Sequence, residues 1–424
     1  MRIKKEFLVT INDDLKTKIT AWASQNTHFC WLDSNGHKGD FEAVLAVGAE
    51  EVLCVNSYQA FAKLNALVEK QQDWFFGYLS YDLKNELEDL ESNNLDQLDF
   101  PELYFFRPQK VLKLQEDKIE VQYLPEFEHE IESDLEAIKN QLFDEDFNGN
   151  ALEIKARLTE EQYCERVEKM LDHIKRGDIY EANFCMEFYA SGNIKPQQTF
   201  TALNSISKAP FASFLRLNDH YLISSSPERY IKKTGNKVIS QPIKGTARRS
   251  NDSEEDLQIA KELSENLKER SENIMITDLV RNDLSKIAER GSVNVDELCK
   301  VYSFNQVHQM ISTVTATVDQ NFNAVDVIKA TFPMGSMTGA PKVSAMKIIE
   351  DLEVTKRGLY SGAVGYFDPS GDFDFNVVIR SILYNEQQSY VSFSVGSAIT
   401  ALATAKNEYQ ECLLKAKAMR QVLE

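Results

Sequence analysis

Residues 360–383 read YSGAVGYFDPSGDFDFNVVIRSIL, which predicts strands over 360–366 and 373–383. The turn between them, Asp368-Pro369-Ser370-Gly371-Asp372, contains the Pro and Gly that are typical of sharp chain reversals. Two strands joined by a short turn pair antiparallel. Elsewhere in the chain, the same pattern predicts strands over 211–217, 221–224, 238–243 and 390–395. The sequence therefore predicts a large share of antiparallel sheet.

Helical periodicity is strongest over 160–176, where apolar residues recur three and four positions apart. A second helical pattern begins at Ser253, whose spacing to Asp256 predicts a capping box. This pattern continues towards Gly291, and its length leads us to expect a break or kink. A third helix is predicted from about Asn407. Strands and helices together indicate the α+β fold class.

The chain has 424 residues, of which 43% are hydrophobic and 27% are charged. This composition is typical of a globular protein with a sizeable core. The acidic, turn-rich stretch 126–150 is the best boundary candidate, because strong periodicity resumes after it. We therefore predict an N-terminal region over 1–150 and a catalytic region over 151–424.

The formal net charge is −19. Nucleic acid and anionic membranes are poor partners for such a chain, since both are bound by basic surfaces. No apolar run approaches membrane-spanning length. The six cysteines are scattered without metal-ligand or disulfide spacing. These features predict a cytoplasmic protein.

Two glutamate pairs share the same three-residue spacing on predicted helices. Glu269 and Glu272 form the first pair, and Glu408 and Glu411 form the second. Residues three apart lie on one helix face, and clustered carboxylates favour a divalent cation such as Mg²⁺. Spacing alone favours the alternative, in which both pairs lie on solvated helix surfaces, and the metal site stays a hypothesis at this point.

Lys244 follows the apolar strand 238–243 and precedes Gly245, a position from which its amine can enter a cleft. To act as a nucleophile the amine must be neutral, so we expect its pKa to be lowered. Glu228, in a small polar turn, is a candidate general acid if its own pKa is raised. A surface lysine and a turn glutamate are the alternative.

Three further residues are candidates for binding an anion or a ring. Arg380 lies in an apolar strand, where a guanidinium needs an anionic partner. Gly396 follows a strand and permits close approach of backbone amides to an anion. His308 is one of six histidines, and a structural role is the alternative to a catalytic one.

Taken in order, the segments resemble the chorismate-utilising family, which includes the large subunits of anthranilate and aminodeoxychorismate synthases, isochorismate synthases and salicylate synthases. The matching segments are Gly177 to Tyr180, Ser226-Pro227-Glu228, Pro242 to Thr246, Glu269 to Asn273, Asp278 to Leu284, His308, Gly335 to Lys342, Tyr360 to Tyr366, Ile379-Arg380 and Glu408 to Glu411. They cover roughly 151–424. A weaker match, Phe76 to Asp82, resembles the N-terminal region of aminating members.

The resemblance implies the fold of the anthranilate synthase large subunit, with antiparallel sheets packed as a sandwich and helices outside. It also implies a Mg²⁺ ion that holds the ring carboxylate of chorismate. Glu272 and Glu411 would bind the metal directly, with Glu269 and Glu408 acting through water. The other implied site residues are Tyr360, Arg380 and Gly396 at the pyruvyl carboxylate, Ser336 and Thr246 in the substrate pocket, and His308 near the ring.

Position 244 distinguishes branches of the family. Anthranilate synthases resemble this chain but carry Ala there, whereas aminodeoxychorismate synthases carry Lys. The resemblance therefore implies that Lys244 forms a covalent adduct with chorismate while Glu228 donates a proton. Ammonia, supplied by a separate glutaminase subunit, would then give 4-amino-4-deoxychorismate, a precursor of 4-aminobenzoate and folate.

Two alternatives remain open. The first is an anthranilate synthase or another chorismate-transforming synthase that tolerates lysine. The second is a non-catalytic regulatory subunit that keeps the fold. Its support is the stretch Gly396-Ser397-Ala398, which lacks the second glycine of the family pattern.

Overall fold

The computed structural model describes residues 1–37, 39–56, 58–142, 147, 149–304 and 307–424. The strands found there in the first 150 residues are β1 (Ile3–Leu8), β2 (His28–Asp33), β3 (Ala43–Val55), β4 (Phe75–Leu79), β5 (Leu103–Gln115) and β6 (Lys118–Tyr123). The later strands are β7 (Lys155–Ala156), β8 (Glu181–Ser191), β9 (Phe211–Leu217), β10 (His220–Ser226), β11 (Arg229–Thr234), β12 (Lys237–Ser240), β13 (Ile243–Arg248), β14 (Asn294–Ser303), β15 (Val307–Thr317), β16 (Gly339–Ala340), β17 (Ala363–Phe367), β18 (Phe373–Val377), β19 (Ser381–Asn385) and β20 (Tyr390–Thr400).

Helices account for much of the remaining described chain. They are α1 (Asp13–Ala23), α2 (Ala60–Lys70), α3 (Lys84–Leu87), α4 (Ile131–Lys139), α5 (Glu160–Arg176), α6 (Pro196–Ser207), α7 (Ser253–Glu265), α8 (Leu267–Ser285), α9 (Ala324–Thr331), α10 (Lys342–Leu352) and α11 (Ala405–Leu423). Short 3-10 turns lie at Tyr81–Leu83, Pro125–Glu130 and Gly335–Met337. Within the described residues, no helix is both long and apolar enough to cross a membrane.

The described strands form one hydrogen-bonded network, and the ladders between them are antiparallel. Two of these ladders, β2 with β9 and β4 with β17, join residues before 150 to residues after 150. In the second, Gly77 lies opposite Gly365, and a Cβ on either would clash with backbone about 2 Å away. The atoms in question are the carbonyl oxygens of Tyr104 for Gly77 and of Asp374 for Gly365, so each glycine permits close packing of its strand on a neighbour in its own part of the chain.

The predicted boundary at residue 150 lies in the stretch 126–150, of which residues 143–146 and 148 are outside the described residues. The division into 1–150 and 151–424 stays a prediction. Its two parts share the strand network, and each contributes to two large apolar cores.

The helix predictions match the structure closely. α5 spans the predicted 160–176 and ends at Gly177, whose φ of 84° suits glycine. The expected break in the long helical pattern lies at Asn266, between α7 and α8. The predicted capping box at Ser253 is wrong, because the cap is Asp252, whose carboxylate accepts from the backbone amides of the next turn.

Two predicted strands are interrupted. The strand expected over 238–243 ends at Ser240 and resumes at Ile243, so Lys244 lies within β13 rather than after a strand. The strand expected over 373–383 is broken at 378–380, where Arg380 adopts a φ of 52°. Tertiary hydrogen bonds explain the second break, since the Val378 amide donates to the Gly362 carbonyl.

A buried ion pair between Arg357 and Glu353 supports the fold. Arg357 and Glu353 lie 2.7 Å apart, with 3% and 4% of their side chains exposed. The Arg357 guanidinium also donates to the carbonyls of Met337 at 2.6 Å and Asn183 at 2.7 Å. It therefore ties α10 to the Gly335–Met337 turn and to β8.

We expect Arg357→Met to lower the free energy of unfolding by about 3–5 kcal/mol, because it leaves the Glu353 carboxylate buried and unpaired. Lys169→Met is the matched control, since Lys169 pairs with Glu165 at the same spacing on an exposed helix face. The control should cost no more than about 1 kcal/mol. Urea denaturation followed by tryptophan fluorescence measures both, and equal losses would contradict the assignment.

Candidate active site

The two glutamate-bearing helices meet through Lys268. Its ammonium on α8 lies 3.8 Å from the Glu272 carboxylate and 3.2 Å from that of Glu408 on α11. Glu272 and Glu408 are both buried. Thr400 adds a contact from β20, with its hydroxyl 3.4 Å from Glu272. The predicted pairs therefore belong to one cluster rather than to separate solvated surfaces.

Crowding of carboxylates shifts their pKa values. Burial raises the pKa of Glu272 to about 7, with Lys244 and Lys268 opposing the rise. Burial likewise raises the pKa of Glu269. Glu411 is the exception: burial raises its pKa, but the adjacent Lys415, at 2.6 Å, helps to bring the net value below normal.

Lys244 reaches this cluster from β13. Its ammonium lies 2.9 Å from the Glu181 carboxylate at the start of β8, and both side chains are largely buried. Gly245 has a φ of 89°, and a Cβ there would lie only 3.1 Å from Glu269 Oε2. The strand that carries Lys244 is therefore packed directly against α8.

The direction of the Lys244 pKa differs from our expectation. Burial lowers this pKa, as anticipated, but the attraction of Glu181, Glu272 and Glu228 outweighs burial and the net pKa is raised. Sequence reasoning counted the desolvation of the amine and missed the number of carboxylates around it. The surrounding carboxylates therefore favour the ammonium form of Lys244.

Glu228 lies in the turn between β10 and β11 and is 5% exposed. Its backbone amide donates to the Ser226 hydroxyl at 3.3 Å, and its carbonyl accepts from the Val377 amide at 3.0 Å. Burial raises the pKa of its carboxyl group to about 7, while a hydrogen bond with Ser336 and the charge of Lys244 lower it. Glu228 can therefore hold a proton near neutral pH, as a general acid must.

Arg380, Thr246 and Ser225 line a cavity of about 180 Å³. The Ser225 hydroxyl is buried and, among the described residues, has no hydrogen-bond partner. Burial lowers the pKa of Arg380, an effect opposed by Tyr360 and Glu411. A cavity lined by an arginine suits an anionic ligand.

Gly396 lies on β20 opposite Cys185 of β8. A Cβ at this position would meet the Cys185 sulfur at 2.6 Å, so close packing accounts for the glycine. The Gly396 carbonyl accepts from Lys415 at 2.8 Å, and the Tyr360 hydroxyl lies 3.7 Å from the same sulfur. Ser397, the next residue, donates to Glu408. These contacts place Gly396 and Tyr360 beside the cluster.

His308 is held by a different set of partners. It is 1% exposed on β15, with one ring nitrogen 2.9 Å from the Ser303 hydroxyl and the other 3.0 Å from the Asp256 carboxylate. Asp256 in turn pairs with Arg249 at 2.7 Å. The hydrogen bonds of His308 thus connect β15 to α7, and the structure does not bring its ring into contact with Lys244 or Glu228.

Glu181 is the residue that sequence reasoning missed. It directly follows the motif Gly177 to Tyr180 and begins a strongly apolar strand, where a glutamate is unusual. A glutamate at the end of an apolar strand was the feature of the sequence that could have identified Glu181 as a site residue. Its partner Lys244 is distant in sequence, so only the fold shows the pair.

The donor chemistry of the cluster fits Mg²⁺, which favours one or two carboxylates completed by water and a substrate anion. Glu272 and Glu411 lie on different helices and both interact with Lys244 and Lys268. In the described ranges, no three acidic, histidine or cysteine side chains converge into a ready-made metal cage. The described side chains therefore do not by themselves complete a metal site.

A second cavity, of about 750 Å³, separates the N-terminal strand β2 from β11 and β12. His37, Pro210, Pro227 and Phe304 line both cavities. Neither lining includes Lys244. Pro227 and Thr246 of the smaller cavity lie within two residues of Glu228 and Lys244 in the chain, so this cavity is the candidate ligand space beside the charge cluster.

Comparison with known proteins places this arrangement in a family. Residues 20–421 match the family model described as chorismate binding enzyme. Aminodeoxychorismate synthase component 1 of Bacillus subtilis is 34% identical over 364 residues, which cover 82% of this chain and 76% of that protein. The Escherichia coli protein of the same name is 38% identical over 270 residues, covering 64% of this chain and 59% of its own length.

Among solved structures, anthranilate synthase component I from Streptococcus pneumoniae superposes with a TM-score of 0.81 at 26% identity, covering 91% of this chain and 94% of that one. This likeness confirms the predicted α+β fold of the anthranilate synthase component I type. The family match spans nearly the whole chain and includes the helices and strands that carry Glu272, Glu411 and Lys244. The chain therefore belongs to the chorismate binding enzyme family.

Proposed function

We propose that this chain aminates chorismate to 4-amino-4-deoxychorismate through a covalent adduct on Lys244. The observation that carries the proposal is the position of the Lys244 ammonium, buried between Glu181, Glu228 and Glu272. An amine in this place faces the carboxylates predicted to bind the metal and the acid predicted to activate the leaving group. Two relatives named aminodeoxychorismate synthase component 1 support the choice of product.

Lys244 acts as the nucleophile after losing a proton. The neutral amine attacks ring carbon 2, and the bond between carbon 4 and its hydroxyl oxygen breaks. Glu228 supplies the proton that lets this oxygen leave as water, a role that its raised pKa of about 7 supports. Ammonia then attacks carbon 4 and expels the lysine.

Mg²⁺, when bound, supplies positive charge that holds the ring carboxylate of chorismate and stabilises charge as the hydroxyl departs. Glu272 and Glu411 are the residues that we propose to bind it directly. Glu269 and Glu408 support them from the same helix faces, the latter anchored by Ser397. The raised pKa values of Glu272 and Glu269 fit a site in which a cation offsets the carboxylates.

The cavity at Arg380 is the proposed place for the pyruvyl carboxylate. The Arg380 guanidinium would supply donors, and Ser225 and Thr246 line the same space. Ser336 forms a hydrogen bond with Glu228. The roles of Tyr360 beside Arg380, of Gly396 and of His308 near the ring remain predictions from the family resemblance.

The proposed partner is a glutaminase subunit that delivers ammonia, in line with the word "component" in the names of the relatives. The product would feed 4-aminobenzoate and folate synthesis. A cytoplasmic location is part of the proposal, and all six cysteines are free thiols, as a reducing compartment favours.

We expect purified protein with chorismate, Mg²⁺ and an ammonium salt to form 4-amino-4-deoxychorismate, identified by chromatography and mass spectrometry. Removal of the metal with EDTA should abolish the product, because four clustered glutamates would then repel the ring carboxylate. Re-addition of Mg²⁺ should restore it. Anthranilate as the sole product would identify the alternative synthase, and no conversion at all would favour a regulatory subunit.

We expect chorismate and Mg²⁺ without ammonia to add to the protein the mass of one chorismate less one water. Lys244→Ala should abolish this mass increase, because it removes the attacking amine. Lys237→Ala is the matched control, as Lys237 is an exposed lysine on the neighbouring strand β12. Intact-protein mass spectrometry measures all three proteins. An adduct that persists in Lys244→Ala would contradict the mechanism.

A further inference from the structure

Glu181 has one oxygen that its surroundings leave unused. Its Oε1 atom lies 2.9 Å from the Lys244 ammonium, whereas Oε2 is buried and has no hydrogen-bond partner among the described residues. The side chain is 1% exposed. Burying a carboxylate with an unsatisfied oxygen is costly, so such a group calls for an explanation beyond packing.

The position of Glu181 is fixed by its neighbours. It opens β8, opposite Thr400 of β20 and Ala340 of β16. A Cβ at Gly339 would lie 2.1 Å from the Glu181 carbonyl, so the two backbones are in tight contact. Strand pairing on both sides therefore fixes the backbone from which the Glu181 carboxylate reaches Lys244.

The contact with Glu181 at 2.9 Å favours the ammonium form of Lys244, which cannot attack until it loses a proton. Glu228 is the proposed acid, and burial raises its pKa to about 7, which favours the protonated form that this role requires. Glu272 and Glu411 are proposed for the metal. Of the carboxylates around the amine, Glu181 is in direct contact and has no other task.

We propose that Glu181 is the base that takes a proton from the Lys244 ammonium and so creates the nucleophilic amine. This inference rests on the proposed function. An N–H bond of the ammonium breaks while an O–H bond forms on Glu181, so the ion pair becomes a neutral amine beside a carboxylic acid. The net charge of the pair is unchanged.

The remaining proton movements balance. As carbon 2 bonds to the lysine nitrogen, the departing hydroxyl takes the Glu228 proton, and the substituted nitrogen then returns its extra proton to Glu228. When ammonia attacks carbon 4, the bond from carbon 2 to the lysine breaks, and Glu181 gives its proton to the leaving amine. One proton from the new ammonium group restores the Lys244 cation.

Other charged groups face this pair from every neighbouring element. They are Glu228 on the turn after β10, Glu269, Glu272 and Lys268 on α8, and Glu411 and Lys415 on α11. A change in the rate with pH therefore reports the whole cluster. The test compares two proteins at each pH and follows their ratio.

Glu181→Gln keeps the shape of the side chain and an oxygen that accepts from Lys244, but it is not basic. With chorismate and Mg²⁺ and without ammonia, we expect adduct formation near pH 7 to slow by about 100-fold or more. The deficit relative to the unaltered protein should shrink as the pH rises towards about 9, since solvent can then deprotonate the lysine. Quenched-flow sampling with intact-protein mass spectrometry measures the rates.

Glu187→Gln is the matched control. Glu187 is a buried glutamate on the same strand, paired with Arg157 at 2.9 Å, and its loss should leave the adduct rate unchanged. Thermal unfolding of each variant reports folding. Glu181→Ala with added formate gives a second measure, because a small carboxylate in the vacated space should restore the rate.

An adduct rate in Glu181→Gln equal to or above that of the unaltered protein near pH 7 would overturn the proposal. In that case Glu181 would only hold Lys244 as a cation, and its removal would free the amine. Failure of formate to rescue Glu181→Ala would count against the proposal in the same way. Absence of any adduct in the unaltered protein would instead contradict the proposed function itself.

Discussion

Lys268 reaches from α8 to the carboxylate of Glu408 on α11, and it holds together two helices whose acidic faces would otherwise repel. Lys244 of β13 forms a similar ion pair with Glu181 of β8, which links the start of β8 to the cluster. Buried carboxylates are tolerated only where cations or protons offset their charge. The proposed chemistry uses these same charges, because it needs an amine, an acid and a cation site in one place.

The strand network brings the charged groups to one another. β8 pairs along its whole length with β20, which leads into α11, while β13 lies against β15 and packs on α8. Glycines allow the closest contacts, at Gly245 against Glu269 and at Gly396 against Cys185. Larger residues there would push the elements apart. The fold thus sets the distances on which proton transfer depends.

Local sequence patterns predicted the features of the fold that depend on local interactions. The bounds of α5, the break between α7 and α8, and the antiparallel hairpins follow from apolar periodicity and turn residues. Sequence patterns did not predict three features, because these depend on tertiary contacts. They are the raised pKa of Lys244, the break at Arg380 and the contact of Glu181 with Lys244. His308 belongs with them, since a strand position alone does not reveal which neighbour its ring will contact.

The central claim is that Lys244 and a metal site built from α8 and α11 face one bound chorismate. Anomalous X-ray diffraction from crystals of the Lys244→Ala protein, soaked with Mn²⁺ and chorismate, tests it most directly. We expect one strong peak bound by Glu272 and Glu411, with the substrate ring between that peak and position 244. A metal bound by other residues, or a ring that lies away from position 244, would contradict it.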